Sequence, residues 1–112
     1  ELITVYGDGE QTRDFTFVAD VVNAHLLAMD CPTTACAYNI CGGSRISING
    51  LLELIGRTTG VSLRLEHETA ARGDARHTLG DSSRAKDDFG WSPSVQLEEG
   101  IRDEWAWLTS VE

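Results

Sequence analysis

Apolar and polar positions change their rhythm several times along this chain, and each rhythm predicts an element. Leu2–Tyr6 and Asp14–Val18 are rich in β-formers and flank Asp8-Gly9. An Asp-Gly between β-formers predicts a hairpin, because Gly takes the positive φ of a tight turn. Glu10, Gln11 and Thr12 make this loop longer than the two-residue ideal. Val22, Leu26 and Met29 recur at helical spacing and predict a helix over Val21–Met29, with Asp20 placed to cap it and Pro32 unable to continue it. Ala37–Ile40 predicts a short strand, with a turn at Gly42-Gly43. Ser47 is the predicted N-cap of a second helix whose apolar stripe is Leu51, Leu52 and Ile55, and Gly60 is its C-terminal stop. Val61–Glu66 alternates with period two, the pattern of a half-buried strand. The polar stretch Glu68–Asp81 predicts a loop, and Ser82 or Ser83 starts a short helix, Arg84–Phe89, that Gly90 closes before the stop Trp91-Ser92-Pro93. A last helix runs from about Leu97 to Leu108, with Leu97, Ile101, Trp105 and Leu108 on one face and Trp107 on another. Strands and helices alternate, so the fold class is α/β or mixed α+β, with a hairpin, short strands and about four helices.

Composition narrows the classes. A chain of 112 residues, 41% hydrophobic, is one domain or part of one and has the means to form a core. No apolar run approaches the roughly 18 residues of a membrane span. Eighteen acidic residues against nine Lys and Arg give a net charge of −9, which argues against a nucleic-acid partner but leaves room for one phosphate-bearing small ligand. The first residue is Glu1 rather than Met and no leader is visible, so the chain reads as an excerpt of something longer. Cys31, Cys36 and Cys41 fall five apart, an odd count without C-x-x-C. They read as free, buried or half-buried thiols in a reducing cytoplasm.

Candidate chemistry is sparse. Arg13 sits where the returning strand begins, and a guanidinium on a rigid strand can grip a phosphate through two parallel hydrogen bonds. His77 lies near carboxylates, yet no partnered nucleophile or base stands around it, so a catalytic role is not the better reading. The Gly42-Gly43 turn has neither a Walker nor a G-x-G-x-x-G spacing.

Two segments carry a resemblance. Residues 5–21 read Val-Tyr-Gly-Asp-Gly-Glu-Gln-Thr-Arg-Asp-Phe-Thr-Phe-Val-x-Asp-Val, and residues 73–86 read Gly-Asp-Ala-Arg-His-Thr-Leu-Gly-Asp-Ser-Ser-Arg-Ala-Lys, followed by Phe89-Gly90-Trp91-Ser92-Pro93 and Leu97-Glu98-Glu99-Gly100-Ile101. Together they resemble the C-terminal third of the NAD-dependent epimerase/dehydratase family, the extended short-chain dehydrogenases that act on nucleotide sugars. The resemblance implies that residues 1–112 form the substrate-binding C-terminal region of a UDP-hexose 4-epimerase-like enzyme whose NAD-binding Rossmann part lies outside this chain. The alternatives are the corresponding portion of a dTDP- or UDP-sugar 4,6-dehydratase or reductase, and a non-catalytic nucleotide-binding module.

The resemblance also assigns residues. Arg13 would hold the diphosphate of a nucleotide sugar, Phe15 would line the substrate pocket, Ile48 would pack on the base or ribose, and Asp74 would accept hydrogen bonds from ribose hydroxyls. In the family a second phosphate-binding Arg usually stands three residues before this Asp. Here that position is Ala71, and Arg72 follows it, a candidate displaced by one residue. NAD is the implied cofactor and a homodimer the implied state of the whole protein. The catalytic Tyr-x-x-x-Lys of the family is missing: Tyr6 and Tyr38 are the only tyrosines, and neither has Lys four residues on. The chain by itself is therefore expected to be inactive.

Overall fold

The computed structural model describes residues 2–32 and 37–111. The elements run β1 (Leu2–Tyr6), β2 (Thr12–Asp14), α1 (Val18–Met29), β3 (Arg45–Ser47), α2 (Ile48–Thr59), β4 (Arg64–Glu68), α3 (Ser83–Phe89) and α4 (Leu97–Ser110). The mixed α/β class and the four helices are as the sequence predicts. The hairpin is not. β1 pairs in parallel with β4, from Leu2 opposite Arg64 to Tyr6 opposite Glu68. β2 pairs antiparallel with β3, from Thr12 opposite Ser47 to Asp14 opposite Arg45. The two flanking strands thus belong to separate two-stranded sheets.

The reason lies in the loop between them. Gly7 and Gly9 both take positive φ, 82° and 75°, so the chain is redirected twice rather than reversed once. Gln11 donates from Nε2 to the Tyr6 carbonyl at 2.8 Å and closes the loop on itself. Asn49, at the start of α2, fastens it from outside: its amide donates to the Gly9 carbonyl at 3.0 Å, and its Nδ2 donates to the Asp8 carbonyl at 2.9 Å and to Glu10 Oε1 at 2.7 Å. A Cβ on Gly9 would stand 2.0 Å from Asn49 Oδ1, so this approach requires glycine.

Helix α1 starts three residues before the predicted Val21, and the extended run beyond β2 stops at Asp14. Phe17, not Asp20, is its N-cap, and it makes no side-chain cap bond. Asp20 is buried in the first turn, where its carboxylate serves another segment. Oδ1 accepts from the Ser94 amide at 3.0 Å and the Ser94 hydroxyl at 2.7 Å, and Oδ2 accepts from the Val95 amide at 3.1 Å. The Asp20 carbonyl accepts from the Trp91 indole at 2.9 Å. Trp91 is the largest fully buried side chain among the described residues, set with Ala24 and Ala85 and flanked by Leu27, Tyr38, Ile40 and Phe89. Trp91, in the segment the sequence marks as a stop, is therefore the centre of the core, while Ser92 is exposed and Pro93 half-buried. Ala37–Ile40 is irregular rather than a strand: no described strand pairs with it, and Tyr38 is held through its side chain. The ring meets Phe89 edge-on at 4.9 Å, and the hydroxyl donates to Asp88 Oδ2 at 2.6 Å.

The second helix is capped as predicted. Ser47 Oγ accepts from the Gly50 amide at 3.1 Å, and Gly60 closes the helix with φ 73°. Its buried residue is Leu54; Leu51, Leu52 and Ile55 are half-buried. β4 begins three residues after the predicted Val61, and all five of its residues are exposed, since β1 alone pairs with it among the described residues. α3 starts at Ser83, with Asp81 Oδ1 accepting from the Ser83 amide at 2.9 Å in place of a serine cap. α4 continues to Ser110; Leu97 and Ile101 of its predicted face are half-buried, but Trp105 and Leu108 of the same face are exposed, as is the off-face Trp107. Cys31 is half-buried and Cys41 buried, both as free thiols; Cys36 lies outside the described residues. No described helix is long and apolar enough to cross a membrane.

Candidate functional site

Arg13 sits in the middle of β2, and three neighbours make that strand rigid. β3 pairs with one edge. Along the other runs the segment after Asp74: the Thr12 amide donates to the Arg76 carbonyl at 2.9 Å, and the Thr78 amide donates to the Thr12 carbonyl at 3.2 Å. Below it, Asp14 Oδ2 accepts from the Gly43 and Gly80 amides at 3.1 and 3.3 Å. The polar stretch read as a loop is thus pinned to the strand that carries the arginine.

This pinning brings Arg13 and Asp74 together across 61 positions of sequence. The Arg13 guanidinium donates through Nη2 to Asp74 Oδ1 and through Nη1 to the Thr12 carbonyl at 2.7 Å. Both side chains keep part of their surface in solvent, 25% for Arg13 and 37% for Asp74. Beside them opens a cleft of 250 Å³ lined in part by Tyr6, Asp8, Gln11, Ala71, Asp74 and Arg76; Asp74 is the one expected site residue in its lining, and neither Arg13 nor Ile48 is part of it. Ile48 reaches the same region through its backbone, its amide donating to the Gln11 carbonyl at 3.1 Å.

Arg72 and Phe15 lie elsewhere. Ala71–Asp74 is a turn, with the Asp74 amide donating to the Ala71 carbonyl at 3.2 Å and Gly73 at φ 85°. Ala71 and Asp74, at its two ends, line the cleft; Arg72, at its tip, does not, and it is exposed. Phe15 lines two other clefts, of 160 and 220 Å³, that share Phe17, Val95 and Leu97 and contain none of Arg13, Ile48, Arg72 or Asp74.

The sequence reading missed a second Arg–Asp pair at this cleft. Arg76 Nη1 donates to Asp8 Oδ1 at 2.7 Å. That bond, helped by the Glu10 amide on the same oxygen, lowers the Asp8 pKa to about 2 and raises that of Arg76. His77 is beside Thr12, Nδ1 to Oγ1 at 2.9 Å, in keeping with an ordering role for this segment. Opposite charges in the two motif segments, Asp8 in one and Arg76 in the other, were the signal available for the pair.

The arrangement sets a cation and a carboxylate side by side, each engaged by the other. A strand-held guanidinium carries directed N–H donors and a carboxylate beside it is an acceptor, while half-buried Ile48 is tied to the region by its backbone. The profile of the GDP-mannose 4,6 dehydratase family matches residues 1–104. The chain belongs to that family, within the NAD-dependent epimerase/dehydratases.

Among curated relatives, the UDP-glucuronate 4-epimerase of Thermodesulfobacterium geofontis is 33% identical over 101 residues, which is 89% of this chain and 31% of that protein. Among solved structures, the UDP-glucose 4-epimerase of Thermotoga maritima with UDP-glucose superimposes with a TM-score of 0.92 at 34% identity, covering 99% of this chain and 36% of that one. The UDP-glucuronic acid 4-epimerase of Bacillus cereus, in complex with UDP-glucuronic acid and NAD, gives 0.87 at 27% identity, covering 97% and 35%. The chain thus spans about a third of the length of the relatives it matches.

Proposed function

We propose that this chain is the nucleotide-sugar-binding part of an NAD-dependent sugar-nucleotide epimerase, with a UDP-hexose as substrate. The observation that carries the reading is the meeting of Arg13 and Asp74 beside the cleft, on a framework that superimposes on an epimerase holding UDP-glucose. Arg13 binds the diphosphate, Asp74 accepts from the ribose hydroxyls, and Ile48 packs against the base or ribose. Phe15 belongs to the wall toward the sugar. Arg72 is left as a loop cation, exposed at the tip of the Ala71–Asp74 turn, while Arg13 is held on a paired strand against Asp74, so Arg13 is the main phosphate anchor.

NAD supplies the hydride chemistry of the whole protein when bound, accepting a hydride from the sugar ring and returning it. The groups present here hold and orient the substrate. No Tyr-x-x-x-Lys stands in the sequence, so the chain alone turns over no UDP-sugar; measurable epimerase activity from these 112 residues would contradict this. The whole protein, on this reading, is a homodimer of the reducing cytoplasm, in keeping with the free Cys31 and Cys41. The family profile favours a second reading, the same role in a 4,6-dehydratase.

Titration calorimetry with UDP and UDP-glucose tests the proposal. The folded chain is expected to bind both, and Arg13→Ala to weaken each at least about tenfold, the worth of a charge-assisted hydrogen bond. A folded chain that takes up neither ligand, or an Arg13→Ala variant that binds as the wild type does, overturns it.

A further inference from the structure

The two residues assigned to the diphosphate and to the ribose are bonded to each other. We propose that the Arg13–Asp74 ion pair is a latch that the empty site closes on itself and that a ribonucleoside diphosphate opens by engaging both partners at once. The inference rests on the nucleotide-sugar reading above.

The geometry sets what can move. Arg13 Nη1 is bonded to the Thr12 carbonyl within its own strand, and that strand is held on both edges. Nη2 is given to Asp74. Nε–H and one hydrogen on each Nη take no part in these two bonds, so a phosphate displaces the Asp74 carboxylate when it takes the Nη2 hydrogen that Asp74 holds, the approach the latch requires. The Asp74 backbone is fixed by the Ala71–Asp74 turn and by the Arg76 and Thr78 bonds that follow it. Release is then a side-chain rotation, and the partial exposure of both groups lets a ligand compete without unfolding the loop.

The freed carboxylate decides the ligand class. Phosphate alone would take Arg13 and leave Asp74 as an uncompensated like charge close by. A nucleoside alone would have to win Asp74 from a cation. A diphosphate ester of a ribonucleoside replaces both halves of the pair, phosphate on Arg13 and a vicinal diol donating to Asp74. The two halves of the ligand are thereby coupled through one two-state element, and each makes the other's site available.

Calorimetry with inorganic pyrophosphate at low ionic strength tests the latch, using the 112-residue chain, Asp74→Asn, Arg13→Ala and the double variant, all checked for native circular dichroism. Asp74→Asn is expected to bind pyrophosphate about fivefold tighter than the wild type, the scale of one partly exposed ion pair, because Arg13 is released. The gain is expected to vanish in the Arg13→Ala background. Three results overturn the latch: no gain on Asp74→Asn, an equal gain with Arg13 absent (a general loss of negative charge), or no pyrophosphate uptake by either the wild type or Asp74→Asn. UDP separates this from the reading beneath it. UDP binding through Arg13 with no Asp74→Asn gain for pyrophosphate keeps the nucleotide reading and removes the latch. A pyrophosphate gain with no preference for UDP over pyrophosphate keeps the ion pair as a closure on Arg13 but removes the nucleotide reading and, with it, the ribonucleoside diphosphate as the ligand that opens the latch.

Discussion

Asp8 keeps its carboxylate charged well into acid, because Arg76 donates to it at 2.7 Å and the Glu10 amide adds a second bond. Its pKa falls from 3.8 to about 2 in the folded chain. The unfolded chain therefore binds the extra proton first as pH drops, and folding stability falls with it. The contribution is complete above the unfolded value near 3.8 and is lost as pH falls through about 2. Urea midpoints measured from pH 5 to pH 2 should drop for the wild type, and Arg76→Gln should flatten that part of the profile. A variant with the wild-type slope would remove the pair as its cause. At this scale the chain displays its chemistry well and its directions poorly. Arg13 and Asp74 stand out in the sequence by type and motif. That Arg72 stands away from the cleft follows from a turn whose hydrogen bond joins Ala71 to Asp74 and whose third residue, Gly73, takes positive φ.

Elements show where local pattern stops deciding. Periodicity locates four helices, and α2 has both of its predicted caps, because cap chemistry is written in the residues at the ends themselves. The hairpin fails because pairing is chosen by remote partners: β1 finds β4 and β2 finds β3, each more than thirty positions away. Asp20 fails as a cap for a related reason. Its carboxylate meets Ser94 and Val95, 74 and 75 positions on. Burial pushes its pKa up, but the Ser94 hydroxyl and the Val95 and Ser94 amides outweigh burial, and the net direction is down. These bonds hold the α3–α4 connection against the first turn of α1, directly beside the Trp91 indole on the Asp20 carbonyl. Asp20→Ala leaves two amides and a hydroxyl without their acceptor in a part-buried place, which should cost about 2–3 kcal/mol of unfolding free energy. Asp20→Asn restores one acceptor at most and turns a donor toward the other amide, so it should recover little. Chemical denaturation of both variants checks this, and a loss below about 0.5 kcal/mol, the size of an ordinary surface change, would contradict the role given to Asp20.

The whole molecule is spread thin. Its radius of gyration is 16.6 Å, against about 13 Å for a compact chain of this length. Its extents are 49 × 37 × 19 Å, so many side chains that would be interior in a rounder body face outward. Helix α1 shows the consequence. Val18, Val22, Leu26 and Met29 recur at helical spacing, yet they are 53–80% exposed, while Ala24 and Asp20 are the positions that face the core. Spacing identified an apolar face but not which of the two sides of α1 the rest of the chain would cover. Under the proposed function that face meets the dinucleotide-binding sheet of the whole enzyme. In the chain alone it is bare, and an apolar band of this kind promotes association. Sedimentation velocity on the 112-residue chain should therefore show mass rising with concentration, and Leu26→Glu with Val22→Glu should return it to a monomer. Because both side chains lie outside the Trp91 cluster, each substitution should change unfolding free energy by no more than about 0.5 kcal/mol. A wild-type chain that stays monomeric at high concentration, or a double variant that associates as strongly as before, would show that the α1 face is not the surface through which these chains meet.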